Sequence, residues 1–190
     1  MNIREFSSNL KKIYEEMSST FSSYQKTTGW NCLSSCGRCC LNPEVEASLY
    51  EMIPMALSIY EEGRLEEWIE KLTSRTQEYC LAYVEGPVVG EGKCGRYEDR
   101  PSVCRMFAVG GLRNKKNQVT LSICRYIRDE YNIQNIPVGL SEEETPMMVN
   151  WSYKLASLDQ RLIQEKMPIN RALQMALEKI ALYARYHGGE

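Results

Sequence analysis

Histidine is almost missing from this chain of 190 residues: there is one, His187, close to the end. Ser–His–Asp or Cys–His catalysis therefore has little to be built from, and His187 itself reads as a helix-end residue near the negative pole of a helix dipole. Long apolar runs are missing too. No window approaches the roughly 18 uninterrupted apolar residues of a membrane-spanning helix. A surplus of one charge is likewise absent, with 23 Lys and Arg against 25 Asp and Glu and a net charge of −2. That leaves no overall basic surface for nucleic acid. Neither GxxxxGK[ST] nor GxGxxG occurs, so nucleotide phosphates are not implied. No internal repeat, low-complexity linker or strand–helix alternation is visible, which argues against a parallel α/β sheet.

What the sequence has instead is cysteine, eight residues of it. Four crowd into nine positions, Cys32-Leu33-Ser34-Ser35-Cys36-Gly37-Arg38-Cys39-Cys40. The other four are Cys80, Cys94, Cys104 and Cys124. The first residues, Met1 to Phe6, lead into mixed polar and apolar positions and not into an apolar leader, so a cytoplasmic, reducing location is expected. There, clustered thiols bind metal more often than they form disulfides. Four disulfides, or reduced thiols buried as small hydrophobes, are the alternatives.

Within the nest the spacings of four, three and one would put Cys36, Cys39 and Cys40 on one face of a helix, with Cys32 roughly 12 Å from Cys40 along the axis. Either the stretch is a loop or two centres are involved. Gly37 favours the loop, since positive φ there would turn a backbone N–H toward the preceding sulfur. Cys94-Gly95-Arg96 repeats Cys36-Gly37-Arg38, a second candidate knuckle. Arginine also follows two other cysteines, as Arg105 and Arg125, where it could offset thiolate charge or simply lie on the surface. Eight thiolates exceed the four that one tetrahedral zinc takes. Two metal centres, or one iron–sulfur cluster with further or zinc-binding thiols, are the natural partitions. Adjacent cysteines and the surplus of thiolates favour iron–sulfur over zinc.

Apolar periodicity predicts a first helix carrying Ile3, Phe6, Leu10, Ile13, Met17, Phe21 and Tyr24, ended by Thr27-Thr28-Gly29. Asn42-Pro43-Glu44 predicts a helix start, with Val45, Leu49, Met52 and Ile53 buried, before Pro54 forces a kink or a fresh start ahead of Gly63. Leu65, Trp68, Ile69 and Leu72 mark the next helix. From Cys80 to Ile127 glycines at 86, 90, 92 and 95 and the Val88-Val89 pair describe a looped region. It contains one β-hairpin, Phe107-Ala108-Val109 against 119–123, about the exposed tip Asn114-Lys115-Lys116-Asn117. That turn would set Cys124 opposite Phe107 and bring Cys104, three residues further along the strand, to the same open end within about 10 Å. Ser141 with Glu144, or Thr145-Pro146, would cap a helix with Trp151, Leu155, Leu158 and Leu162. Pro168 interrupts, and Leu173, Leu177, Ile180 and Tyr183 make the last helix, stopped by Gly188-Gly189. Met52, Met55, Met147 and Met148 read as packing residues. The expected fold is mainly α, a single helical domain over 1–190 with one small β-hairpin. Its cysteine region, 30–127, is loop-rich, with helical extensions at 1–26 and 146–187.

The nest and the second motif, Lys93-Cys94-Gly95-Arg96-Tyr97-Glu98-Asp99-Arg100-Pro101-Ser102-Val103-Cys104-Arg105-Met106-Phe107, together resemble the CxxCxxCC cysteine-cluster family, zinc- or iron-chelating proteins named after bacterial YkgJ. The resemblance implies a metal site formed by Cys36, Cys39, Cys40, Cys80, Cys94, Cys104 and Cys124, with Cys32 as the leading member. Three residues separate Cys32 from Cys36 where the family's name has two. The implied function is a redox or metal-site module holding an iron–sulfur cluster, zinc or both. Metal ions are the expected partners, with no nucleic acid and no membrane. By analogy with the flagellin lysine methylases, which carry a related cluster, the alternative is methyl transfer from S-adenosylmethionine. Cys32-xxx-Cys36-xx-Cys39 also has the radical S-adenosylmethionine spacing, but the chain lacks the length and alternation of the barrel those enzymes use.

Overall fold

A computed structural model of the chain describes residues 2–33, 36–88 and 91–187. Val89, Gly90 and the Gly188-Gly189 stop fall outside the described residues. Helix α1 (Ile3–Thr28) begins where the Asn2 side chain accepts from the backbone N–H groups of Arg4 and Glu5 at 3.0 and 3.2 Å. It ends at Gly29, whose φ of 75° is the left-handed cap glycine adopts without strain. Ile3, Phe6, Leu10, Met17 and Phe21 are buried as expected, with Tyr14 taking the inward position beside Ile13.

The predicted helix at Asn42-Pro43 does not form. The Asn42 side chain accepts from Glu44 N at 3.1 Å, closing a local turn instead of capping a helix. The chain then runs as a short strand β1 (Glu46–Ala47). Pro54 is a fresh start, at the N-terminus of α2 (Ile53–Glu61). Helix α3 (Leu65–Ser74) follows the positive-φ Gly63.

The region expected to be loops holds more order than its composition indicates. Strands β2 (Tyr83–Glu85) and β3 (Gly92–Cys94) pair antiparallel. A 3-10 turn at Tyr97–Asp99 leads to α4 (Ser102–Met106). The expected hairpin is present as β4 (Val109–Arg113) and β5 (Val119–Ile123), with Asn117 at φ 60° in its exposed tip. Its register differs by one residue: Val109 pairs with Ile123, so Cys124 N donates to Ala108 O at 2.9 Å and lies opposite Ala108, not Phe107. Cys104 is in α4 and not on the hairpin strand at all. Next come α5 (Arg125–Glu130) and α6 (Met148–Leu158), the latter with no side-chain cap from Ser141 or Thr145. Leu162 lies beyond α6 in a 3-10 turn. Pro168 sits in β6 (Met167–Pro168), which pairs with β1 and leads into α7 (Ile169–His187).

Among the described residues the protein is thus mainly helical, with seven α-helices and three two-stranded antiparallel pairs. One apolar core joins the two ends of the chain to its middle. Leu10, Met17 and Phe21 of α1 belong to the same cluster as Ile53 and Ile59 of α2 and Leu173, Leu177 and Ile180 of α7, all at most 1 % exposed. Cys40 and Cys80 are part of that core. Met52, Met55 and Met147 are buried packing residues. Among the described residues no helix is long and apolar enough to cross a membrane.

A candidate metal centre in two compartments

Ser34 and Ser35 lie outside the described residues, and the described residues of the nest form no helix. They make tight turns in which Cys36 N donates to Leu33 O at 3.3 Å and Cys40 N to Gly37 O at 2.9 Å. Gly37 is needed for close approach, not for positive φ. A Cβ there would stand 2.5 Å from the Tyr83 ring, 2.9 Å from the Gly92 carbonyl carbon and 3.0 Å from Lys93 N. Gly95 has the same cause, since its Cβ would meet Val84 Cγ2 at 2.9 Å. The nest therefore lies flat on the β2–β3 pair, one residue from Cys94. Gly37→Ala should cost about 2 kcal/mol, because two of the three offending atoms are backbone and cannot turn aside. A thermal melt should read a fall of roughly 4–8 °C, and an unchanged midpoint would contradict this packing.

Four further devices hold Cys80, Cys94 and Cys104 in place. Cys80 N donates to Cys40 O at 2.9 Å, joining the two loops through their backbones. The buried Asn170 side chain of α7 accepts from Leu81 N and donates to Tyr79 O, both at 2.8 Å, and so clamps the loop on either side of Cys80. Cys94 ends β3, and Gly95 N donates back to Ala82 O at 2.7 Å. Helix α4, which carries Cys104, is held by the fully buried Glu51. Its carboxylate accepts from Ser102 Oγ, from Ser48 N at 2.9 Å and from Lys166 Nζ.

Tyr97 is the platform on which Arg100 stacks, 3.7 Å from guanidinium carbon to ring centroid. Asp99 pairs with Lys11 of α1 at 3.0 Å. Pro101 and Cys104 line the thiol cavity, and Ser102 reaches Glu51. Arg105 turns away from the thiols to tie α4 to α1, donating to Ser18 Oγ at 2.6 Å, Arg100 O at 2.9 Å and Glu98 O at 2.5 Å while stacking on Tyr14.

The eight cysteines face two adjoining compartments. Cys39, Cys40, Cys80, Cys94 and Cys104 line an enclosed cavity of about 20 Å³, with Val45, Met55, Ile169, Arg100 and Pro101 as its other walls. Cys32, Cys36, Cys39 and Cys124 line an open cleft of about 580 Å³ on the side of Phe107, Arg38, Arg125 and Tyr126. Cys39 borders both. Among the described residues no three His, Cys, Asp or Glu side chains already stand as a finished ligand set. The inner thiols bond to one another instead. Cys40 lies within hydrogen-bonding reach of Cys39 and Cys94, which pushes its own thiol far up and pulls both partners below the ordinary thiol range. Burial pushes Cys80 up to about 12, and partial desolvation against the cleft wall, with the charges of Cys36, Cys39 and Cys124, pushes the solvent-accessible Cys32 to about 11. Burial first, then Cys80, Cys39 and Cys94, raise Cys104 as well.

Arg100 is the residue that sequence reasoning passed over. Its charge favours the thiolate forms of Cys39, Cys94, Cys104 and Cys32. Its Nε–H is buried beside the inner cavity and finds no acceptor among the described residues. Of the arginines that follow a Cys or Cys-Gly, Arg96 instead pairs with Glu62, and Arg38 and Arg125 stack on Tyr126. The signal for Arg100 lay in Arg-Pro, where proline starts α4 and leaves the preceding side chain on the cavity wall.

The donor chemistry fits a metal. Soft sulfur donors converge from four separate segments, a cation stands beside them, and an orphaned N–H is present that a metal-bound thiolate could satisfy. No curated protein and no solved structure matches the chain. A family model does, over residues 31–125, half of the chain and the stretch that holds all eight cysteines. From the nest through Cys124, the chain belongs to the CxxCxxCC family, described as a zinc- or iron-chelating domain.

Proposed function

We propose that the protein holds two thiolate metal centres, one in each compartment, and acts as a metal-site or redox module. The observation that carries this reading is the enclosed cavity on which five cysteines from the nest, the residue-80 loop, β3 and α4 converge. Its volume of about 20 Å³ in the metal-free chain matches a single ion. A single ion, zinc by preference, on Cys40, Cys80, Cys94 and Cys104 suits it, with the thiols changing χ1 rotamer to meet it. Cys32, Cys36, Cys39 and Cys124 then remain for the open cleft, where an iron–sulfur cluster has space. The inner ion would cross-link four chain segments and the outer cluster would supply electron transfer. The preference for iron–sulfur that the thiol count alone supports is thereby confined to the outer set. Methyl transfer rests on analogy and gains no support from the described residues.

The test is elemental analysis with visible absorption on anaerobically purified protein and two variants. Cys40→Ser should lose zinc and keep the iron chromophore, whereas Cys36→Ser should lose iron and sulfide and keep zinc. A colourless protein with stoichiometric zinc and no sulfide would overturn the outer assignment. Loss of both metals in both variants would overturn the division into two.

Metal affinity should also rise with pH. With thiols raised to about 12 and about 11, Cys80 and Cys32 are protonated near neutrality in the metal-free chain and must release their protons to bind. Each such thiol contributes up to about tenfold in apparent affinity per pH unit. Competition titrations between about pH 6 and pH 8 check this, and a pH-independent affinity would contradict it.

A further inference from the structure

Two guanidinium groups stand over one ring at the mouth of the outer cleft. Arg38 and Arg125 place their guanidinium carbons 4.6 and 4.7 Å from the Tyr126 centroid, and Arg125 Nη2 also donates to the Tyr126 hydroxyl at 2.9 Å. All three line the cleft with Cys32, Cys36, Cys39 and Cys124. Stacking fixes a planar guanidinium through its face and leaves most of its N–H fork directed outward. Among the described residues neither has a carboxylate at ion-pairing distance. Arg4, Arg64, Arg96 and Arg113 each have one. One carboxylate, Glu44, lies on the same cleft wall.

We infer that this cleft binds a small oxyanion, the carboxylate or phosphate group of a low-molecular-weight ligand, through the N–H groups of Arg38 and Arg125 beside the outer thiols. The inference deepens the two-centre reading by naming a ligand class for its open compartment, and its geometric basis is the arginine pair and not the metal. Charge-assisted, forked hydrogen bonds are the interaction that arginine makes best with such groups. A cleft of about 580 Å³ accommodates a small molecule around the anchored oxyanion. Glu44 opposes binding by its charge, which gives the proposal a second prediction of opposite sign.

Isothermal titration of anaerobically purified full-length protein with citrate and with inorganic phosphate tests it, with metal content measured on every sample. Saturable binding of at least one probe is expected, and which one binds separates the carboxylate from the phosphate source. Arg38→Gln combined with Arg125→Gln should weaken it at least tenfold with metal content unchanged, and Glu44→Gln should strengthen it. No saturable heat from either probe, or undiminished binding in the double variant, would overturn the inference while leaving the metal centres standing. Loss of metal together with binding in the double variant would also overturn it, by making the arginines counter-charges to the thiolates. Arginine-dependent binding to a protein that holds no metal would uphold the subsite and strike the two-centre reading instead.

Discussion

Cys104→Ser should lower the thermal midpoint of the metal-loaded protein by about 10 °C or more, and should barely move that of the metal-free chain. Serine is nearly isosteric with cysteine, so little packing is lost in α4, but a hydroxyl is a poor partner for a soft ion. Structural zinc on thiolates contributes on the order of 10 kcal/mol of binding free energy, which is folding free energy when the ligands come from separate segments. Even partial loss is large at about 2–4 °C per kcal/mol for a chain of this length. Cys104 shares the inner cavity with Cys40, Cys80 and Cys94. Cys32→Ser should do less, because Cys32 is exposed and faces only the open cleft. Differential scanning calorimetry with and without chelator checks both. Equal shifts for Cys104→Ser in loaded and metal-free protein would place the cysteine in packing alone.

The second large effect is expected at a residue with no contact to the cavity. Glu51→Ala removes a carboxylate that is 0 % exposed and serves Ser48 N, Ser102 Oγ and Lys166 Nζ together. Truncating one partner of a buried ionic network costs about 3–5 kcal/mol, since the remaining polar groups are left unpaired. Lys166 is 34 % exposed along its side chain and can turn to water, so the lower end applies. A fall of roughly 6–12 °C should follow. Because Ser102 begins α4, the inner metal should also exchange faster from this variant than from Gly37→Ala, which should cost less. Thermal melts together with transfer of metal to a chromophoric chelator give both numbers. Stability within about 1 kcal/mol of the native protein would contradict the role of Glu51 as the anchor of α4.

Helices that bury one long face were legible from spacing, as α1 shows from Ile3 to its glycine cap. Short elements held by tertiary contacts were not. Helix α4 has five residues and no periodicity to read, and it exists because Ser102 and Arg105 are tied to Glu51 and α1. The β2–β3 pair lay within a stretch punctuated by glycines, of which Gly92 leaves room for the Tyr83 ring and Gly95 for Val84, and neither breaks the structure. Asn42-Pro43 has the residues of a helix start, but asparagine closes its own turn equally well, and the pairing of β1 with β6 decides between them. The hairpin at 109–123 was recognised, yet a one-residue difference in register cannot be told from its turn residues alone. For the site, all eight candidate ligands came from the sequence. Their division between an enclosed cavity and an open cleft did not, because adjacent Cys39 and Cys40 must lie on a wall between the two for that division to arise.

The most direct test is to count metal and reactive thiols together in protein purified without oxygen and never denatured. The two-centre account predicts stoichiometric zinc in the inner set, iron with acid-labile sulfide in the outer set, and few or none of the eight thiols open to titration until a strong chelator and denaturant are added. Less than about half an equivalent of both metals, with all eight thiols reacting freely in the native protein, would contradict it.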